Sequence, residues 1–139
     1  MVKNSAILYP IFVLAVWTIV VLMRVGYVRL TSRLKPSDFK YGESTAVPAH
    51  VSLPNRNYMN LLELPVLYYV VCLTLYCLPR YPEFVVILAW AYVVLRIVHS
   101  AIHLTYNHVM HRFAAFAASN AVLLVLWIYA GLDMAGWIN

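Results

Sequence analysis

Four runs of apolar residues govern this sequence, each about as long as a lipid bilayer is thick. They lie at about residues 7–28, 58–78, 84–104 and 112–132. A helix needs roughly 20 apolar residues to cross a hydrocarbon core about 30 Å thick. Composition agrees. Of 139 residues, 64% are hydrophobic and 11% charged, whereas soluble domains carry about a quarter of their residues as charges. A soluble globular enzyme is excluded, and so is a disordered chain, which needs the opposite balance. Only four glycines are present, which removes collagen-like and Gly-rich linker readings. The expected fold class is an all-α integral membrane protein, a single domain over residues 1–139 built as a four-transmembrane-helix bundle. Lys3 precedes the first run, but that run is too long for the apolar region of a signal peptide and no A-x-A site follows it. The run is therefore expected to be a retained anchor.

The formal net charge is +5, from ten Lys and Arg against five Asp and Glu. No DNA- or RNA-binding motif accompanies the surplus, so nucleic acid is not an expected partner. Basic residues gather instead in the cytoplasmic loops of membrane proteins. The segment between the first two runs holds Arg29, Arg33, Lys35, Lys40 and Arg56, with Pro36, Pro48 and Pro54 marking it as a loop. The loop before the fourth run ends at Arg112, while the turn between runs two and three has only Arg80. This bias predicts a multi-pass protein with both termini outside, although Lys3 points the other way. Tyr9, Tyr76, Tyr81, Tyr129 and Trp137 then fall near the outer boundary, as an aromatic belt should. Cys72 and Cys77 lie five positions apart on different sides of a helix, with no CxxC, and read as packing residues rather than a disulfide or metal pair. Ala114, Ala117, Ala118 and Ala121 recur at helical spacing. Small residues so placed allow close helix approach; generic apolar filler is the other reading.

The polar residues inside the runs carry most of the information. Ionisable groups in lipid cost a few kcal/mol or more, face a bundle interior, and are functional candidates. Arg56, Asn60 and Glu63 stand at i, i+4 and i+7, within about 60° of one another on one helix face. Pro65 just beyond leaves a backbone carbonyl that neighbouring groups must satisfy. On the third run Tyr92, Arg96, His99, Ser100 and His103 form a second stripe, and Arg24, Arg29 and Arg112 stand at the same end of the first and fourth runs. All belong to the predicted cytoplasmic half. Arg24, Arg29, Arg56, Arg96 and Arg112 face only Glu63, so the cluster calls for an anion, either a small carboxylate ligand or a lipid headgroup. The outer Arg residues also fit simple snorkelling toward headgroups, and Glu63 with Arg96 fits an ion pair between the second and third spans.

The order of these features resembles the MAPEG family, the membrane-associated proteins in eicosanoid and glutathione metabolism. The resemblance rests on Arg56, Asn60 and Glu63 in an RxxxNxxE pattern before Pro65, on Arg96 followed sixteen positions later by Arg112, and on Val28-Arg29-Leu30 at the exit of the first run. It spans about Ile11 to Leu132 and is nearest to an uncharacterised bacterial branch, which implies a bacterial inner membrane. The family implies a four-helix bundle assembled as a homotrimer, with glutathione bound as co-substrate at subunit interfaces in the cytoplasmic half. On that resemblance Arg29, Arg56, Asn60, Glu63, Arg96 and His103 would hold glutathione. Arg112 would be catalytic, because a cation beside sulfur favours the thiolate. The implied activity is transfer to, or peroxide reduction of, a lipophilic substrate arriving through membrane lipid. Two positions depart from the pattern. Met59 stands where several glutathione-using members carry Arg just before the Asn, and His103 stands where a Tyr is expected.

Two other functions fit the same residues. Some members of the family bind lipids without catalysis, so a non-catalytic lipid-binding or scaffold protein of this fold is one. A His-based metal-binding membrane protein is the other, since His99 and His103 form a helical HxxxH with His108 and His111 following. No HExxH is present and membrane histidines commonly hydrogen-bond across helices, so no metal ligand is assigned.

Overall fold

The computed structural model describes residues 5–40, 47–79 and 81–138. Lys3 and Arg80, used above for sidedness, lie outside the described residues. Among the described residues, five α-helices form four membrane-length crossings: α1 (Leu8–Thr31), α2 (Ala49–Leu62) and α3 (Pro65–Cys77) as one broken crossing, α4 (Glu83–Leu104), and α5 (Val109–Met134). A short 3-10 turn, Ser5–Ile7, leads into α1, and a second, Pro36–Phe39, interrupts the loop after it. Prolines set several of the starts. Pro48 and Pro82 are extended residues immediately before α2 and α4, and Pro65 opens α3, where its missing N–H costs nothing.

The second crossing departs from the single helix over 58–78 that the apolar run predicts. It starts nine residues earlier, at Ala49, and runs through Pro54. That proline leaves only the carbonyl of His50 without a helical donor, at an exposed end where water can replace it. The crossing then breaks at Glu63, whose φ of −78° and ψ of −98° lie outside the helical region. Pro65 cannot donate to Leu61, and the chain restarts with the Val66 and Leu67 amides bonded to Glu63 and Leu64. The break redirects the chain. Above it α2 packs on α1 and α4; below it α3 packs on α5 and α1.

The most extensive helix pairing is α4 with α5, joined by a tight turn. Asn107 makes that turn. It sits at φ 50°, a left-handed conformation that Asn tolerates better than most residues. Its amide bonds the Ile102 carbonyl at 2.8 Å, closing α4. The main core joins Leu14 and Val21 of α1, Tyr68, Val71, Cys72 and Leu75 of α3, Val85, Ala89, Tyr92 and Val93 of α4, and Leu123, Leu126 and Ala130 of α5. Tyr68 and Tyr92 stack at 4.3 Å with planes 14° apart, and the Tyr68 hydroxyl donates to the Ala89 carbonyl. A smaller cluster of Val28, Val47 and Val51, with Leu34 and Phe39 against it, closes the opposite end over the α1–α2 loop. Cys72 and Cys77 are both free thiols. Ala114, Ala117, Ala118 and Ala121 point outward from the single chain rather than into its core.

Candidate functional site

The polar end of the bundle is built where α2, α4 and α5 meet. Arg96, three turns into α4, is 0% exposed. Its Nε donates to the Tyr92 hydroxyl at 3.0 Å, one turn back on the same helix. Its guanidinium lies 5.2 Å from the Phe116 ring centre and 5.4 Å from that of Tyr92. Both terminal nitrogens are buried with no acceptor among the described residues. A buried cation without a partner is costly, and two aromatic faces offset only part of that.

The ion pair expected between Glu63 and Arg96 is not formed within the chain. The break at Glu63 leaves that carboxylate exposed, while Arg96 turns its Nε inward to Tyr92. The α2 face nevertheless reaches α4 through a different residue. Asn57 is fully buried and its amide nitrogen donates to the Ser100 hydroxyl at 2.6 Å, while the Trp17 indole of α1 donates to the same oxygen at 2.9 Å. One serine thus ties three helices one turn beyond Arg96 on α4. It fixes the rotation of α2, and so the direction of Arg56 and Asn60 on its neighbouring turns.

Arg112 is placed by the α4–α5 turn. Its terminal nitrogen donates to the Asn107 side-chain oxygen, and its amide bonds His108 in the first turn of α5. Its backbone carbonyl meets Nδ1 of His99 at 2.9 Å. A cleft of about 220 Å³ opens between these groups, lined by Asn60, His99, Val109, Arg112, Phe113 and Phe116. That is below the roughly 300–1,000 Å³ of ordinary small-molecule sites, so one chain encloses only part of a ligand the size of a tripeptide. His103 is buried beside His99, the two rings 6.1 Å apart, and its Nδ1 has no partner.

Of the residues that the sequence nominates, Asn60 and Arg112 line this cleft, and Arg96 and His103 are buried beside it. Arg56 is exposed on α2, within electrostatic reach of His103. Arg29 is elsewhere. Its guanidinium sits 4.9 Å over the Phe39 ring, against the small cluster that closes the α1–α2 loop. Arg24 is exposed over Tyr27, and Glu63 faces outward at the helix break. The sequence pattern marks His99 and Ser100 only as members of a stripe and singles out neither Asn57 nor Trp17. The stripe was the available signal for the first two. Trp17 and Ser100 are 83 positions apart, and no periodicity links them. Among the described residues, no group of three or more His, Cys, Asp or Glu side chains is arranged to hold a metal ion.

The model of the MAPEG family matches residues 7–132, nearly the whole chain, and the chain belongs to that family. No curated protein and no solved structure matches it.

Proposed function

We propose that this member of the MAPEG family binds glutathione in the polar half of its bundle and uses the bound thiol on a lipophilic electrophile or hydroperoxide delivered by the bilayer. The observation that carries this reading is Arg96, fully buried, with both terminal nitrogens lacking an acceptor. Glutathione offers two carboxylates, which match guanidinium forks in geometry as well as charge. With Arg112 and Asn60 in the adjoining cleft, one carboxylate meets Arg96 and the thiol lies near Arg112, where a cation favours the thiolate. Phe113 and Phe116 give the cleft an apolar wall suited to a hydrophobic co-substrate.

The site is completed by neighbouring copies in a homotrimer. The single chain supports this in three ways. Its cleft is too small for the tripeptide, Glu63 faces out of the bundle from within a crossing, and the Ala114, Ala117, Ala118 and Ala121 face is bare. A carboxylate left in lipid is costly, and small residues admit a close helix contact. Glu63 and Arg56 then reach glutathione across a subunit boundary, the carboxylate meeting its ammonium. The polar half faces the cytoplasm, as the loop charges imply, where glutathione is found.

Calorimetry on the purified protein in mild detergent tests the binding, with glutathione as titrant. Saturable binding at millimolar concentration or below is expected, together with a trimer in native mass spectrometry. No glutathione binding at millimolar concentration overturns the reading. The lipid-binding alternative, which the exposed Met59 favours over a full carboxylate clamp, then takes its place. A stable monomer that binds glutathione overturns the shared site alone.

A further inference from the structure

His99 has a feature that neither glutathione binding nor bundle packing uses. The ring is 5% exposed. Its Nδ1 lies 2.9 Å from the backbone carbonyl of Arg112, an acceptor that can only receive a hydrogen, so Nδ1 carries the proton. In the neutral imidazole the other nitrogen, Nε2, is then a bare acceptor. Nε2 is buried, has no donor among the described residues, and belongs to a side chain lining the same cleft as Arg112. A carbonyl on α5 thus fixes the tautomer of a histidine on α4 and leaves the other nitrogen of this cleft-lining side chain unpartnered, the arrangement by which a base is oriented for proton transfer.

We infer that His99 is the general base of the site, taking the thiol proton of bound glutathione on Nε2. The inference rests on the glutathione reading and adds a catalytic residue to it. In the step the S–H bond breaks, an Nε2–H bond forms, and the sulfur keeps the electron pair. With a conjugated carbonyl compound as acceptor, the sulfur bonds the β-carbon, the carbon–carbon π pair moves toward the carbonyl, and the imidazolium returns its proton to the α-carbon. No oxidant or further reactant is needed. The charged groups acting on His99 are Arg96 on its own helix and Arg112 on α5, with Arg56 of α2 acting on the neighbouring His103. His103 itself is 6.1 Å away ring to ring, and Asn60 of α2 faces the cleft uncharged. All these charged groups are cationic. The imidazolium forms only as the thiolate appears beside it, and the two opposite charges arise together. Arg112 and His99 divide the work: one stabilises the thiolate, the other receives its proton.

The test uses the full-length protein in detergent with glutathione. On wild-type protein with 15N-labelled histidine, glutathione should move one Nε2 resonance from the bare to the protonated position, and S-methylglutathione, which has no thiol proton, should not. The His99→Gln variant should bind glutathione within a few-fold of wild type. It should lose the ultraviolet thiolate absorbance of the complex and turn over about 100-fold more slowly, the lower end for a general base. An unchanged thiolate absorbance in His99→Gln overturns the inference while leaving glutathione binding intact. If the variant does not fold, the labelled wild type decides alone, and a histidine spectrum unmoved by glutathione overturns it. Failure of wild-type protein to bind glutathione overturns both readings.

Discussion

The two halves of the bundle differ in how many buried polar atoms they leave unpartnered. In the apolar half, α3 and the adjoining ends of α4 and α5 pack Val71, Cys72, Leu75, Val85, Ala89, Leu126 and Ala130 to complete burial, and the one large polar side chain among them, Tyr68, finds the Ala89 carbonyl. In the polar half, Asn57, Arg96, His99, His103 and Arg112 all keep at least one buried nitrogen or oxygen without a partner. Native proteins leave few such atoms. Beyond the polar half, Asn120 Oδ1 and the Trp127 indole on α5 share that condition. Tyr92 stands at the boundary, its ring stacked on Tyr68 toward one half and its hydroxyl holding Arg96 in the other. Fully buried apolar side chains thus gather below the Glu63 break, and most of the unpartnered buried polar atoms among the described residues gather above it.

The largest expected effect lies in the apolar half. Leu126 is fully buried among α3 and α4 residues. Leu126→Ala removes four heavy-atom positions' worth of contact less one methyl and should cost about 3 kcal/mol, within the range for buried leucines. Thermal unfolding in detergent measures it. Glutathione affinity of the protein that remains folded should be unchanged, because Leu126 touches nothing in the cleft. A loss of affinity in proportion to the loss of stability would erase the distinction between the halves.

Arg96→Met should act with the opposite sign on stability. A methionine of similar reach fills the space between Tyr92 and Phe116 without an uncompensated charge. Replacing buried ionic groups by apolar ones is often stabilising, here by about 1–2 kcal/mol, with the Tyr92 hydroxyl losing one hydrogen bond in exchange. Glutathione binding should vanish. A variant that is both less stable and unable to bind would show that Arg96 has a structural partner across the subunit boundary.

Much of this division was legible in the sequence. The four crossings follow from run length, and the polar stripe on α4 did mark Arg96, His99, Ser100 and His103 as inward-facing, which they are. Two local misreadings share a cause. Pro54 reads as a loop signal in the sequence, yet residues 49–57 are helical, because a proline near a helix start removes a bond that the exposed end can do without. Pro65 reads as a strain on one helix, but the chain resolves it by breaking at Glu63, which also turns that carboxylate away from Arg96. The contact of His99 with Arg112 is not legible in the sequence, since the partner is a backbone carbonyl on another helix, and no side-chain pattern records a carbonyl. The same holds for the Trp17–Ser100–Asn57 junction, whose members come from three helices.

Met59 tests whether the polar half is limited by its supply of cations. It lies next to Asn60 on α2, which lines the cleft, and is 49% exposed, so a longer side chain there meets no wall. Met59→Arg places a guanidinium at the rim without disturbing the buried junction at Asn57. Being exposed and screened, the new charge should contribute at most about 1 kcal/mol, which is roughly five-fold in glutathione affinity. Turnover per bound glutathione should stay the same, because the new group is exposed and adds nothing to the buried groups at His99 and Arg112. Raising the salt concentration should reduce the gain, as it does for any exposed pair, while leaving the part due to buried Arg96 largely intact. Calorimetry at two ionic strengths separates the two contributions. If Met59→Arg gains nothing at low salt, the carboxylates are already fully held, and the departure at this position is a compensated one rather than a missing clamp.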